Sequence, residues 1–267
     1  MQIGVSTAAV FGRYDTEEAI PVLDSLGVRY TEVFCSTFSE YGREFGKIIN
    51  QNKGESKMVI HSVHALPTQF EPQLFHKNER ICSDAFRIAE RVLALAQEIG
   101  ATHYTFHGLA RYKRSSRNAK YDVPFLAERL NRLSQLAKEY GVTVCHENVE
   151  WAYYNRPGLF GELKPLCPDL GAVLDIKQAR ISGYPVSEYI RDMGDRIRHV
   201  HVSDIDENGR MCLPGKGITD FAELFRTLRG EGFDGCVLLE PYEHDYERLE
   251  ELRESYTYLQ EIADKTQ

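Results

Sequence analysis

The sequence alternates short apolar runs with longer amphipathic stretches. The apolar runs are rich in valine, isoleucine, leucine, threonine and tyrosine, and most are apolar at both odd and even positions. This pattern is typical of parallel strands that are covered on both faces. It predicts eight strands, at residues 2–6, 28–34, 57–63, 102–107, 142–147, 170–175, 197–203 and 235–240.

The amphipathic stretches between these strands predict helices. The clearest covers residues 77–99, and Gly100 follows it in the position where a left-handed glycine commonly ends a helix. A helix end, a glycine and then a strand recur at Gly27, Gly141 and Gly232. Repeated βα units of this kind close most simply into a single (β/α)8 barrel, which typically needs about 250 residues. The other predicted helices cover residues 15–26, 124–140, 218–230, 244–264 and, with the weakest pattern, 40–53.

Length and composition agree with one globular domain over residues 1–267. Hydrophobic residues make up 42% of the chain and charged residues 27%, and no apolar run is long enough for a membrane span. The first residues have the pattern of a strand rather than a signal peptide. The six cysteines form no CxxC pair and, Cys212 apart, are interpreted as small buried hydrophobes, which favours a reducing cytoplasm. A net charge of −8 disfavours nucleic acid as a partner.

Polar residues collect at the carboxyl ends of the predicted strands, where (β/α)8 barrels carry their chemistry. Side-chain alternation predicts that Glu147, Asp175 and Glu240 point inward, above small or apolar residues of the same strands. Three carboxylates and an imidazole in one closed pocket would repel one another and lose solvation, and a divalent cation would remove that conflict. A donor set of mostly oxygen with one nitrogen suits Mn, Mg, Co or Zn. The alternative is a structural rim in which these acids pair with lysines and arginines.

Several motifs follow one another in a fixed order along nearly the whole chain. They are Gly27-Val28 with Thr31-Glu32-Val33, Glu147-Asn148, Leu174-Asp175, His199-Val200-His201-Val202-Ser203-Asp204, Gly215-Lys216-Gly217-Ile218-Thr219-Asp220-Phe221 and Leu239-Glu240-Pro241. In this order the chain resembles the xylose-isomerase-like TIM barrel superfamily of sugar isomerases, sugar-phosphate epimerases and AP endonucleases. The resemblance implies one divalent metal ion held by Glu147, Asp175, His201 and Glu240.

The resemblance also implies an activity. It indicates a metal-dependent isomerase or epimerase of a keto sugar or sugar phosphate, in which Glu147 and Glu240 remove and return a proton beside the carbonyl through an enediolate. A dehydratase of a keto-polyol, of the inosose type, begins with the same step. An AP endonuclease-like phosphodiesterase needs a basic face and more metal ligands, and Gln178 stands where a histidine is frequent. A sugar-binding barrel without catalysis is the remaining alternative, and a homo-oligomer is left open.

Five residues are candidates for substrate contacts, each with a structural alternative. They are His64, His107, Gln178, Trp151 and Arg210. His199, which shares the inward parity of His201, is interpreted as a supporting or core histidine, and His61 and His103 as structural. Tyr153 and Tyr154 could stack on a sugar or simply pack. The segment 111–120 carries five basic residues in ten and could hold an anionic group or be a solvated loop.

Overall fold

The computed structural model describes residues 1–111 and 122–266, and it confirms the (β/α)8 barrel. Eight parallel strands close into a ring in the order β1-β10-β7-β6-β5-β4-β3-β2. A separate antiparallel pair, β8–β9, occurs in the sequence after β7 and before β10. The strands are β1 Gln2–Ser6, β2 Tyr30–Cys35, β3 Val59–Ala65, β4 His103–Phe106, β5 Thr143–Glu147, β6 Gly171–Asp175, β7 Ile197–Val202, β8 Asp204–Ile205, β9 Met211–Cys212 and β10 Cys236–Leu239.

Helices surround the barrel. Gly100 ends the third helix in the left-handed conformation, with φ of 75°, as its position predicted. Within the described ranges no helix has the length and apolar character required to span a bilayer. The helices are α1 Thr16–Ser25, α2 Arg43–Lys53, α3 Glu79–Ile99, α4 Val123–Glu139, α5 Leu159–Leu163, α6 Ile176–Ser182, α7 Val186–Met193, α8 Phe221–Gly230 and α9 Leu249–Lys265.

Two parts of the predicted pattern need correction. The last helix begins at Leu249 rather than at residue 244, because Glu243–Asp245 form a separate 3-10 turn and Arg248 has an extended backbone with φ of −121°. The strand predicted at 57–63 lies two residues later, at Val59–Ala65. The sequence pattern also did not reveal α5, α6 and α7, which have only five, seven and eight residues and thus too few turns for a clear apolar period.

The inside of the barrel is polar. Glu32, Ser62, Thr105 and His199 are all fully buried at 0% exposure, in the layers below the carboxyl ends of the strands. Buried polar groups of this kind require hydrogen-bond partners inside the protein. Thr105 provides such partners. Its hydroxyl donates to a carboxylate oxygen of Glu32 at 2.6 Å and lies 2.8 Å from Nε2 of His199. The side chains at the carboxyl ends of the strands therefore lie above a hydrogen-bonded polar layer rather than above an apolar core.

Three histidines close the amino-terminal end of this interior. The rings of His61 and His103 stack at 4.4 Å between centroids, and the edge of His199 meets His61 at 5.1 Å. Burial, together with the neighbouring His103, lowers the pKa of His61 to about 3. Burial also lowers the pKa of His103 and, far more, that of His199. These imidazoles are neutral near pH 7, in agreement with the structural role predicted for His61 and His103.

The depressed pKa of His61 predicts acid destabilisation. The folded state holds His61 neutral while the unfolded chain protonates it below about pH 6.5, so its contribution to stability is complete above that pH and is lost as the pH falls toward 3. His61→Phe keeps a stacking ring but cannot titrate. Between pH 6.5 and 5, the variant should lose stability more slowly than the native protein, by up to about 1.4 kcal/mol per pH unit. Urea unfolding at each pH measures this, and equal slopes for the two proteins would contradict it.

Candidate functional site

The four side chains predicted to hold a metal converge at the carboxyl end of the barrel. One ligand atom from each of Glu147, Asp175, His201 and Glu240 lies within 4.8 Å of the others. Glu147 and Asp175 end β5 and β6, His201 lies in β7, and Glu240 directly follows β10. The strand register places Asp175 beside His201. Glu147, Asp175 and His201 are buried, and the side chain of Glu240 is 11% exposed. The pairing of neighbouring parallel strands therefore brings together residues that are far apart in sequence.

The carboxylates of this cluster interact with neighbouring imidazoles. Nδ1 of His201 lies 2.9 Å from Oε1 of Glu147 and 3.1 Å from Oε2 of Glu240. Burial acts to raise the pKa of Glu147, but His201 and His107 outweigh it and hold that pKa at about 2. Burial raises the pKa of Asp175 to about 7, and the nearby Glu147 and Glu240 carboxylates add to the rise. The cluster thus places ionised carboxylates within hydrogen-bonding distance of imidazoles that they hold protonated.

These residues fit a divalent cation. Oε2 of Glu147 is buried, and Nε2 of His107 lies 2.9 Å from it. None of the described ion pairs joins Glu147, Asp175 or Glu240 to a lysine or arginine, so the alternative of a structural rim has no contact in its favour. Three carboxylates and one imidazole form an oxygen-rich donor set that suits Mn, Mg, Co or Zn.

A cavity of about 440 Å³ opens above this cluster. Strands β5 and β6 and the end of β10 supply its acidic side, while β2, β3 and the segments after β1, β3 and β4 supply most of the opposite wall. Four of the five predicted substrate contacts line it, namely His64, His107, Gln178 and Trp151. The other lining residues include Ala8, Phe11, Phe34, Leu66, Thr68, Glu147, Val149, Asp175, Lys177, Glu240, Pro241 and Tyr242.

The histidines of the wall are joined to the acidic cluster. The Nε2 atoms of His64 and His107 lie 3.1 Å apart, and the ring of His107 stacks on Trp151 at 5.6 Å between centroids. Burial acts to lower the pKa of His64, but Glu32 and Glu240 outweigh it and raise the pKa to about 10. A protonated His64 thus lies between two carboxylates, with its Nδ1 atom 3.2 Å from Oε1 of Glu240.

The structure does not bring Arg210 to the cavity. Its side chain is 77% exposed, and its guanidinium pairs with Asp206 at 2.9 Å. The reason is local, because Asp206 also accepts hydrogen bonds from the backbone N–H groups of Asn208 and Arg210 and so fixes the turn between β8 and β9. Tyr154 is fully buried and takes a packing position, with its hydroxyl 3.4 Å from Asp192.

The basic segment predicted at 111–120 lies outside the described residues except for its first position. Arg111 pairs with Glu150, with 3.0 Å between the guanidinium and the carboxylate. This pair joins the start of the segment after β4 to the segment after β5.

The sequence model of the xylose isomerase-like TIM barrel family matches residues 21–262. The chain belongs to this family. A segment of 74 residues is 31% identical to fructoselysine 3-epimerase of Escherichia coli O157:H7 and covers 27% of each protein. A segment of 161 residues is 29% identical to inosose dehydratase of Clostridium tetani (strain Massachusetts / E88) and covers 52% of this chain and 54% of the dehydratase. The chain thus matches about half or less of the length of these relatives.

The fold also matches solved structures along the full chain. The crystal structure of a protein named IOLI with a binding zinc atom superposes with a TM-score of 0.79, covering 100% of this chain and 99% of that one. The sequences are only 16% identical, so this match shows the shared xylose isomerase-like fold alone.

This xylose isomerase-like barrel carries a further buried carboxylate that sequence reasoning did not assign to the site. Glu32 in β2 is 0% exposed and accepts hydrogen bonds from Ser62 at 2.7 Å and Thr105 at 2.6 Å. Its Oε1 atom lies 3.2 Å from Nε2 of His201 and 3.2 Å from Nδ1 of His64. Burial acts to raise the pKa of Glu32, but His201 and His64 outweigh it and hold the pKa well below its usual range.

Glu32 therefore faces the side of the His201 ring opposite to Glu147 and Glu240. Groups behind a metal ligand orient it and increase its basicity. The sequence signal for this role is a charged residue inside an apolar strand, Thr31-Glu32-Val33. From the sequence, these residues were assigned only to a family motif. Lys177, another buried charge in the cavity wall, was missed as well.

The position of Glu32 predicts an effect on metal affinity. Glu32→Gln should weaken Mn²⁺ binding by about 10- to 100-fold, because the far side of the His201 ring loses its negative partner. Isothermal titration of the metal-free protein measures the affinity without reference to activity. Glu71→Gln is the matched control, since Glu71 is also fully buried but contacts Tyr104, His107 and Gly108 rather than His201. Equal affinity losses in the two variants would show that Glu32 has no specific role at the ligand.

Proposed function

We propose that this protein is a divalent-metal-dependent isomerase or epimerase of a keto sugar or sugar phosphate. The observation that carries the proposal is the convergence of two carboxylates, Glu147 and Glu240, with Asp175 and His201. The three carboxylates line one cavity, and His201 lies beside them. The similarity to fructoselysine 3-epimerase supports the same chemical class. The IOLI structure with its bound zinc atom supports a metal in a barrel of this fold.

Glu147 and Glu240 are suited to remove and return a proton. They come from β5 and from the end of β10, with β6 and β7 between them in the ring, so they approach a bound molecule from different sides. Each is held ionised, which lets it accept a proton from the carbon beside a carbonyl and later donate that proton back. His64, at 3.2 Å from Glu240, can hold or exchange a proton with that carboxylate.

The metal would be held by Glu147, Asp175, His201 and Glu240. When bound, it would polarise the substrate carbonyl and so favour loss of the neighbouring proton to form an enediolate. Asp175 and His201 have no separate part in the proton transfer and serve to hold the cation. A carboxylate that binds a metal through one oxygen keeps a second oxygen for proton transfer.

The cavity suits a small sugar. Its volume of about 440 Å³ is in the range of small-molecule sites. Trp151, Phe11 and Phe34 give it aromatic walls, on which the C–H face of a sugar can pack. His64, His107 and Gln178 offer polar groups to hydroxyls from the same cavity.

A dehydratase of a cyclic keto-polyol is the second candidate. The observation that favours it is the similarity to inosose dehydratase, which extends over more of the chain than the similarity to the epimerase. Dehydration begins with the same proton loss beside a carbonyl and differs in the departure of a hydroxyl group. The product separates the two, because only the dehydratase yields an unsaturated or dicarbonyl compound and water.

The experiment is solvent exchange. The protein with Mn²⁺ or Co²⁺ is incubated in D₂O with D-psicose, D-tagatose, their 6-phosphates and an inosose, and the products are followed by NMR. We expect deuterium at the carbon beside the carbonyl of at least one compound, and a loss of at least about 100-fold in Glu240→Gln because a proton acceptor is removed. Glu243→Gln, an exposed carboxylate three residues away, is the control and should exchange normally. Exchange that persists unchanged in Glu240→Gln would refute its role.

Metal analysis gives an independent check. The purified protein should contain about one divalent ion per chain after gentle purification, and Asp175→Asn should contain less because one of the four candidate ligands is weakened. Mass spectrometry of the metal content measures both. No metal in the native protein, together with no exchange of any compound, would contradict the proposed enzyme and favour a non-catalytic sugar-binding barrel.

A further inference from the structure

Lys177 is a buried cation in the wall of the cavity. It lies in the first turn of α6, two residues after Asp175, and is only 4% exposed. Among the described residues that line the cavity it is the only lysine or arginine. Burial of an ammonium group is costly unless something nearby compensates its charge and its N–H donors.

Neighbouring groups compensate the charge of Lys177, but none of the described residues accepts a hydrogen bond from its ammonium group. Nζ lies 4.1 Å from the centroid of the Tyr242 ring, a cation–π contact. Asp175 and Glu240 attract it from beyond 4.0 Å, and within residues 1–111 and 122–266 Lys177 has no ion pair or hydrogen bond from its ammonium. Its N–H groups are therefore available to a molecule in the cavity.

Two other polar residues that were expected to contact substrate are less available. Oε1 of Gln178 accepts a hydrogen bond from the backbone N–H of Glu150 at 3.0 Å. The guanidinium of Arg210 faces solvent and pairs with Asp206. Beside the acidic cluster, Lys177 thus adds a strong hydrogen-bond donor to those of His64 and His107.

The surroundings of Lys177 favour an oxygen that is uncharged on binding. A permanent phosphate or carboxylate at this point would meet the carboxylates of Glu147, Asp175 and Glu240 around the same cavity. A carbonyl oxygen avoids that repulsion, because it gains negative charge only when a proton moves onto one of those carboxylates and neutralises it. A donor placed beside such an oxygen stabilises the transition state more than the bound substrate.

We propose that Lys177 is a catalytic residue that donates a hydrogen bond to the substrate oxygen that becomes negative during proton removal. The proposal rests on the proposed function. The C–H proton passes to a carboxylate oxygen of Glu147 or Glu240, the C–H electron pair forms a C=C bond, and the carbonyl π pair moves onto oxygen. Lys177 keeps its proton throughout. The substrate gains the one negative charge that the carboxylate loses, and the step reverses when the proton is returned.

The test compares Lys177→Met with the native protein in the exchange reaction of D-psicose with Mn²⁺. Methionine keeps the length of the side chain and removes the charge and the donors. We expect kcat to fall by at least about 100-fold while KM changes by less than about threefold, since the bond strengthens only in the transition state. Lys138→Met is the matched control, because Lys138 lies on α4 and pairs with Asp169 away from the cavity. Lys177→Leu gives the same comparison if the methionine variant does not fold, because leucine also lacks the charge and the donors.

A binding measurement provides a readout other than turnover. Threonohydroxamate imitates the planar, electron-rich enediolate, whereas xylitol has only neutral hydroxyls. Calorimetry with the Mn²⁺-loaded proteins should show Lys177→Met losing about 100-fold in affinity for the hydroxamate and less than about threefold for xylitol. Metal content and circular dichroism should match those of the native protein.

The outcomes separate this role from its rivals. A raised KM with unchanged kcat, or equal losses for hydroxamate and xylitol, would overturn the proposal and assign Lys177 to ground-state binding. A loss of bound metal in Lys177→Met would overturn it in favour of a structural role, in which Lys177 holds the metal ligands in position. If the native protein exchanges no ketose, the proposed function fails and the role of Lys177 fails with it. Exchange by the native protein and an unaltered kcat in Lys177→Met would reject the role of Lys177 alone.

Discussion

The repulsion among buried carboxylates is the constraint on which the rest of this structure depends. Glu32, Glu147, Asp175 and Glu240 all lie within the interior or at the mouth of one barrel. Like charges at such distances cannot remain ionised in a low-dielectric interior without compensation. The imidazoles of His64 and His201 lie between the carboxylates and provide this compensation here, and a divalent cation would provide it when bound.

The fold makes this concentration of charge tolerable. The hydroxyls of Ser62 and Thr105 donate to Glu32, so the layer beneath the centre satisfies its own polar atoms. The stacked histidines His61 and His103 then close the amino-terminal end as neutral rings. The interior thus changes from neutral to strongly charged over the length of a strand, and the charged end is the one that meets the cavity.

The barrel and the convergence of the acidic cluster could be predicted because both follow from periodicity. Strand alternation has a fixed period of two, which places Glu147 and Asp175 inward once the strands are recognised. The positions of Glu32 and Lys177 could not be interpreted in this way, since their meaning depends on the rings of His201 and Tyr242, which are distant in sequence. The orientation of Arg210 depends on one turn, and the short helices α5 to α7 have too few residues for a period to appear.

The cavity wall has a consequence for how specificity can diverge in such proteins. The candidate metal ligands all come from the second half of the chain, whereas Phe11, Phe34 and Leu66, on the opposite wall, come from its first quarter. Selection acting on those three positions can reshape the space available to a ligand while the coordinating half stays untouched. Relatives that share one reactive centre can in this way acquire different preferences through changes confined to the other half of the gene.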